Sequence, residues 1–198
     1  SGNIDTTAPV VTLDAEGLGN DATPTISGTT DLTPGEAVTL TVTDANGDVQ
    51  TFTATVQPDG TFSADVPANM ADGNYTVDAS ATDAAGNTGS ASTSGEVDTT
   101  APTGNIVVTT TYDDATPMIT GTLDIPEGDI VTLVITDAAG NEQTLTVPVA
   151  ADGSFSVEVP TDLAEGEFTV QASATDDAGN TATATLTATI DMAAPSLI

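Results

Sequence analysis

The sequence predicts an all-β protein made of two tandem sandwiches of seven strands each. The segment at residues 5–9, DTTAP, recurs at residues 98–102, and an altered form, DMAAP, follows at 191–195, so that both steps are 93 residues. Within each copy, apolar residues alternate with polar ones, which is the period of half-buried strands. Gly, Pro, Asp and Asn interrupt these runs at short intervals, as turns require. A fixed step of this length, with this period inside it, indicates two copies of one small β domain.

The repeat also predicts the domain boundaries. We expect the first domain at residues 1–97, with residues 5–9 as its N-terminal linker, and the second at residues 98–190. Residues 191–198 would begin the next linker or repeat. The two copies align without a gap, because DATP at 21–24 matches DATP at 114–117, and residues 83–87 match residues 176–180. A short linker is therefore expected to join the two sandwiches end to end.

Seven short strands are predicted for each copy. In the first copy, Val38, Leu40 and Val42 would face the core from one strand, and Tyr75 would do so from another. Seven antiparallel strands in fewer than 100 residues are typical of an immunoglobulin-like sandwich, here without its usual disulfide and Trp. Tyr75 fits either a tyrosine corner or plain core packing, and Phe168 at the matching position favours packing. The strands are expected near residues 10–15, 24–30, 37–43, 49–56, 61–66, 74–82 and 89–97.

The composition restricts the function. The chain has 30 acidic residues and no Lys, Arg or His, which gives a formal net charge of −30. Such a charge excludes nucleic-acid binding and makes dissolved cations the expected partners. No apolar stretch approaches the roughly 20 residues of a membrane span. We expect a soluble, monomeric fragment that does not insert into membranes and whose export signal lies outside it.

Catalysis and carbohydrate binding are both disfavoured. Without His, Lys or Cys, only a pair of carboxylates could act as acid and base, and the acidic residues lie mostly in predicted turns that recur in both copies. We therefore predict that the chain is not an enzyme. A carbohydrate site would need exposed aromatic side chains, and Tyr112 is the one unmatched candidate among six aromatic residues. A sugar- or ligand-binding module stays open as an alternative.

Three motifs resemble the bacterial Ig-like extender repeats of RTX-type and biofilm-associated surface adhesins. They are DTTAP at the beginning, G-x-Y/F-T-V in the penultimate strand and TD-x-AGN in the last hairpin, and the resemblance covers both copies. It implies a spacer that projects a distal binding domain from the bacterial surface in cell adhesion and biofilm formation. It also implies that calcium ions at the linkers rigidify the neighbouring repeats. Because similar modules separate the domains of secreted enzymes, a spacer in such an enzyme is a second alternative.

Calcium is the metal that this composition suits, because it takes six to eight oxygen ligands whereas zinc, copper and iron prefer imidazole or thiolate. The loops of a sandwich gather at its two ends, so one complete junction is expected around Asp98. An alternative for each turn Asp or Asn is local hydrogen bonding within the turn. Asp31, Glu36 and Glu127 are expected to be solvated charges. The candidate ligands are Asp98 with Asp21, Asp44, Asp48 and Asp72 of the first copy and Asp124, Asp176, Asp177 and Asn180 of the second; Asp5, Asp83 and Asn87; and Asp191, Asp137 and Asn141.

Overall fold

The computed structural model describes residues 4–14, 17–109 and 114–193, and the regular structure in these ranges is all β-strand. The chain divides into two compact units, unit 1 (Ser1–Thr100) and unit 2 (Ala101–Ile198). The all-β prediction is confirmed, with a sandwich of two sheets in each unit.

Unit 1 contains eight strands among its described residues. One sheet has the order β1-β3-β6 and the other has the order β2-β8-β7-β4-β5. Neighbours are antiparallel except for β2 and β8, which are parallel. The seven predicted strands are present within two residues of their predicted ends, and β2 is an additional strand. The strands are β1 (Val11–Leu13), β2 (Leu18–Gly19), β3 (Thr25–Thr30), β4 (Ala37–Thr43), β5 (Val49–Thr55), β6 (Thr61–Asp65), β7 (Gly73–Thr82) and β8 (Thr88–Val97).

Among its described residues, unit 2 repeats this arrangement except for a counterpart of β2. Its described strands form one sheet with the order β13-β10-β9 and another with the order β12-β11-β14-β15, and all pairs are antiparallel. The strands are β9 (Gly104–Thr109), β10 (Met118–Leu123), β11 (Ile130–Thr136), β12 (Glu142–Pro148), β13 (Ser154–Glu158), β14 (Gly166–Thr175) and β15 (Thr181–Ile190).

Each unit has its own core between its two sheets. Every second residue of β4 and β11 faces inward, so that Leu40 and Leu133 are fully buried. Phe62 and Phe155 fill the core from the opposite sheet. Burial of a large apolar side chain contributes about 1.5–3 kcal/mol, and Thr and Ser on the outer positions tolerate water. The alternating pattern in the sequence thus fixes which face of each strand is buried.

Tyr75 packs in the core, as predicted, and is 3% exposed. It lies opposite Gly95 on the neighbouring strand, where an added Cβ would overlap the phenol ring and its hydroxyl. Unit 2 has Phe168 opposite Ala188 at the matching positions. The ring that carries a hydroxyl group is therefore paired with glycine, and the ring without one is paired with alanine.

The first strands of the two units differ. β1 ends at Leu13, and β2 then pairs with β8 of the other sheet, whereas β9 continues along β10 for six residues. The register at the start is the same, because Val11 pairs with Thr30 and Gly104 pairs with Leu123. Unit 2 continues with apolar Val107 where unit 1 has Asp14, so β9 retains the strand pattern for longer.

Candidate functional site

The loops of unit 1 gather at its two ends, as the sequence predicted. At the C-terminal end, the Met70 amide donates to the Ala22 carbonyl oxygen at 2.9 Å, which joins the loops that follow β2 and β6. At the N-terminal end, Asn87 Nδ2 donates to the Asp5 carbonyl oxygen at 3.2 Å. The predicted group of Asp5, Asp83 and Asn87 is therefore brought together within unit 1.

Asp44 is a buried carboxylate that organises the turn after β4. Its Oδ1 accepts hydrogen bonds from the amides of Asn46 and Asp48 at 3.0 and 2.9 Å, and its Oδ2 accepts from the Ala71 amide at 3.1 Å. The bond from Ala71 is the main cause of the lowered pKa of Asp44, and the turn amides add to it while burial opposes it. The carboxylate is 8% exposed and joins two loops at the C-terminal end of unit 1.

Asp137 repeats this role in unit 2. Its Oδ1 accepts from the amides of Ala139 and Asn141 at 2.9 and 2.8 Å, and its Oδ2 accepts from Asn141 Nδ2 at 3.0 Å and from the Ala164 amide at 3.2 Å. The side-chain amide of Asn141 is the main cause that lowers the pKa of Asp137 to about 2. Asp137 and Asn141 are thus brought together as predicted.

Asp83 and Asp176 organise the matching turns at the other ends of the units. Each accepts the amide of the Asn four residues later at 2.8 Å and that residue's side-chain nitrogen at 2.9 and 3.0 Å, respectively. Both pKa values are lowered. The Asn87 side chain is the main cause for Asp83; at Asp176, burial acts to raise the pKa, and the combined hydrogen bonds from Asn180, Gly179 and Ala178 outweigh it. These residues therefore form the local hydrogen bonds of a turn. Their role as calcium ligands stays a prediction.

Asp72 holds the chain that leaves unit 1. Its Oδ1 accepts the amide and the hydroxyl of Thr99 at 3.0 and 2.8 Å, and its Oδ2 accepts the hydroxyl of Thr100 at 2.8 Å. The hydroxyl of Thr100 is the main cause of the lowered pKa of Asp72. Asp98 Oδ1 accepts the Thr100 amide at 2.9 Å, and the Asp98 amide donates to the Gly19 carbonyl at 3.0 Å. Two predicted ligands, Asp72 and Asp98, therefore fix the same three-residue segment.

Asp124 and Asp31 hold the chain that begins each unit. Asp124 Oδ1 accepts the Thr103 amide, and its Oδ2 accepts the Thr103 hydroxyl at 2.7 Å; this hydroxyl is the main cause of the lowered pKa of Asp124. Asp31 Oδ1 accepts the Val10 amide at 2.8 Å. Asp31 is exposed, as expected of a solvated charge, and it also fixes the segment before β1. Glu36 is likewise engaged, since its Oε2 accepts the Thr33 amide at 2.8 Å.

The remaining predicted ligands lie on the surface of the same loops. Asp21 Oδ1 accepts the Thr23 amide at 2.8 Å, and Asp191 Oδ1 accepts the Ala193 amide at 2.9 Å. The side chains of Asp48 and Asp177 are exposed. The role of these four residues as calcium ligands stays a prediction.

An acidic hollow of about 610 Å³ lies at the N-terminal end of unit 1, with Asp5, Asp31, Glu36 and Asp83 on its wall. Asp129 matches Glu36 in unit 2, and its Oδ2 is buried without a hydrogen-bond partner among the described residues. The sequence did not identify Asp31, Glu36 or Asp129 as candidate site residues. The 93-residue step pairs Glu36 with Asp129, so an acidic residue at this position in both copies was the available signal. Within residues 4–14, 17–109 and 114–193, no three carboxylates are grouped closely enough to hold a metal ion.

The aromatic side chains do not form an exposed platform in the part of the chain that the structure describes. Phe52 packs against the core of unit 1, and Phe62, Tyr75, Phe155 and Phe168 are buried. Tyr112, the candidate for carbohydrate contact, lies outside the described residues. No described segment forms a helix with the length and hydropathy needed to cross a membrane.

Comparisons with known proteins agree with this architecture. A family model described as "Bacterial Ig-like domain" matches residues 8–99 and again residues 103–192. Among solved structures, a Ca²⁺-stabilized adhesin that helps an Antarctic bacterium reach out and bind ice is 31% identical, with a TM-score of 0.54; the match covers 96% of this chain and 51% of that one. A tetra-tandem repeat in the extending region of a large adhesion protein is 35% identical, with a TM-score of 0.46; the match covers 93% of this chain and 49% of that one.

The chain thus spans about half the length of these two solved structures. A comparison with curated protein sequences finds no match. The two consecutive family matches cover nearly all of the sequence, and the described strands form one sandwich in each match. The chain belongs to the bacterial Ig-like domain family, of which it contains two copies.

Proposed function

We propose that the two domains are spacer repeats of a large bacterial surface adhesin, outside the cell, where they hold a distal binding domain away from the surface in adhesion and biofilm formation. The likeness to the adhesin of the Antarctic bacterium supports this proposal. The observation that carries it is that carboxylates hold the linker residues by hydrogen bonds. Asp72 binds Thr99 and Thr100 in unit 1, and Asp124 binds Thr103 in unit 2. A spacer needs a fixed path of the chain into and out of each repeat.

Calcium at the linkers is the second part of the proposal. The end loops offer carboxylate oxygens, Asn side-chain oxygens and backbone carbonyl oxygens, and such an all-oxygen ligand set suits calcium. Asp129 supports a cation at the N-terminal end of unit 2, because a buried acceptor without a partner is costly and the chain has no basic side chain to supply one. Bound calcium would neutralise these carboxylates and join the loops that carry them. Asp98 is the proposed central ligand, together with the candidates named above.

The interdomain angle provides the main test. Small domains with small polar interfaces move relative to each other by default, so an ion held by both copies would restrict the angle. We expect small-angle scattering of the two-domain chain to give a narrow, extended distance distribution in about 10 mM calcium, roughly ten times the weaker dissociation constants of extracellular modules. In EDTA at the same high ionic strength, the distribution should be broader and shorter, because salt screens simple repulsion within about 10 Å at 0.1 M.

The variant Asp98→Ala separates a metal ligand from a fold element. Calcium should no longer narrow its distance distribution, whereas its melting temperature in EDTA should equal that of the wild type. For the wild type, calcium at ten times its dissociation constant adds about 1.4 kcal/mol to the free energy of unfolding, which raises the melting temperature by several degrees. Asp78→Ala, which removes the same charge from an exposed position on β7, is the matched control.

Equal scattering curves in calcium and EDTA would refute the calcium part of the proposal. If Asp98→Ala unfolds unit 2 even in saturating calcium, Asp98 is a fold element and its assignment as a ligand is wrong. A bent, compact pair in calcium would instead argue against the spacer role itself.

A further inference from the structure

The segments that precede β1 and β9 approach the last strand of their units differently. In unit 1, the carbonyl oxygen of Pro9 lies directly against Gly89 of β8, at a place that a Cβ would occupy. The matching residues of unit 2 are Pro102 and Ala182. Because Ala182 carries a methyl group, the chain at Pro102 cannot approach β15 as closely as Pro9 approaches β8. The methyl group of Ala182 therefore excludes the close approach that Pro9 makes to Gly89 in unit 1.

A second difference in the same segment removes a side chain from unit 2. Val11 is partly buried and packs against the core of unit 1. The matching residue is Gly104, which has no side chain. Unit 2 therefore lacks this isopropyl group, and its Leu123 side chain lies where a Cβ of residue 104 would be.

A cleft of about 290 Å³ lies at this position in unit 2, between the segment at residues 102–106 and the strands β14 and β15. Its apolar wall includes Ile106, Leu123, Phe155 and Ala172. No acidic residue lines it, although the chain has 30 of them. The wall also includes Thr103, Asn105, Ser173 and Thr183, so the cleft is an uncharged, mainly apolar site in a strongly anionic protein.

Two alanines on the wall of the cleft are more exposed than their counterparts in unit 1. Ala172 is 6% exposed, whereas its counterpart Ala79 in unit 1 is 1% exposed. Ala184 is exposed, whereas its counterpart Ala91 is half-buried. The same residue types at the same register positions are thus more accessible in unit 2.

We propose that this cleft is a binding site for a small, neutral, apolar molecule of about the size of one aromatic ring. An apolar cavity of roughly half this volume, about 150 Å³, is enough to hold benzene. The uncharged wall favours a neutral ligand, and the net charge of the protein repels anions from it. This assignment concerns the interior of unit 2 alone and does not depend on the spacer role.

Methyl NMR of the whole two-domain chain, with ¹³C-labelled Ala and Ile and benzene as the probe, tests the assignment. We expect saturable shifts at Ile106, Ala172 and Ala184 as benzene is added, with smaller shifts at Ala79 and Ala91. Shifts that do not saturate, or equal shifts in both units, would overturn the proposal.

The variant Ala184→Leu should fill the cleft and weaken benzene binding at least tenfold. Thr185→Leu is the matched control, because it adds the same side chain on the same strand and Thr185 does not line the cleft. The control should bind benzene like the wild type, and the wild-type titration alone decides the outcome if Ala184→Leu does not fold. Undiminished binding in folded Ala184→Leu would show that benzene lies elsewhere and would refute the site.

Discussion

The pairing of Tyr75 with Gly95 predicts a strong coupling between these two positions. In Gly95→Ala, the new methyl group would overlap the hydroxyl oxygen and ring carbons of Tyr75 inside a packed core. Overpacking of this kind costs about 1–3 kcal/mol, and the removal of a strand glycine returns about 0.5–1 kcal/mol. We therefore expect unit 1 to lose about 0.5–2 kcal/mol of unfolding free energy.

The double variant Tyr75→Phe/Gly95→Ala should recover much of this loss, because it reproduces the pair of Phe168 and Ala188 that unit 2 already accommodates. Tyr75→Phe alone gives up the interactions of the hydroxyl, which amounts to about 1 kcal/mol. The coupling energy between the two changes should consequently be about 1–2 kcal/mol in favour of the double variant.

Native-state hydrogen exchange followed by mass spectrometry is the suitable assay, because peptides of β7 and β14 report on the two units of one molecule. Each loss of 1.4 kcal/mol should accelerate exchange in β7 about tenfold and leave β14 unchanged. Additive effects of the two substitutions would refute the proposed packing. Faster exchange in β14 would show that the two units do not unfold independently.

Two further predictions concern carboxylates. Asp72→Ala should accelerate exchange of the Thr99 amide about tenfold, in EDTA as well as in calcium, because this amide loses its hydrogen-bond acceptor. Amide exchange by NMR measures the effect, and the control Asp78→Ala should show none. If the wild-type Thr99 amide is protected only in calcium, Asp72 is a calcium ligand instead. The lowered pKa of Asp137 stabilises unit 2 above its unfolded value of 3.8, and this contribution is lost as the pH falls through about 2. Urea unfolding between pH 5 and pH 2 should therefore show a flatter pH dependence for Asp137→Asn than for the control Glu127→Gln, and parallel curves would contradict the role of Asp137.

The strands were largely predictable from the sequence. The predicted strand at 37–43 coincides with β4 (Ala37–Thr43), and the others differ by two residues or fewer at their ends in unit 1. Alternation of apolar and polar residues is a local property, and so is the choice of Gly at the turns. Gly47 and Gly140, for example, both have positive φ, which glycine adopts without strain. The 93-residue step then made each feature of one copy a prediction for the other.

The contacts between loops were less predictable. The sequence placed Asp72 near the linker, but only the structure shows that its acceptors are taken by Thr99 and Thr100. The sequence did not show that Asp31 accepts a hydrogen bond from the Val10 amide, because the two residues are 21 positions apart. Hydrogen bonds between distant loops depend on which loops meet at one end of the sandwich and on the direction of each side chain.

The sequence by itself determined the all-β class, the two copies, the buried face of each strand and the exclusion of basic and thiol chemistry. Tertiary structure decided that β2 crosses to β8, that carboxylates bind the linker residues, and that unit 2 has a cleft between residues 102–106 and the strands β14 and β15. The physical reason is that periodicity and turn chemistry act between near neighbours in the chain. The effect of Gly89 or Ala182, in contrast, depends on a carbonyl group about 80 residues away, which only folding brings into contact.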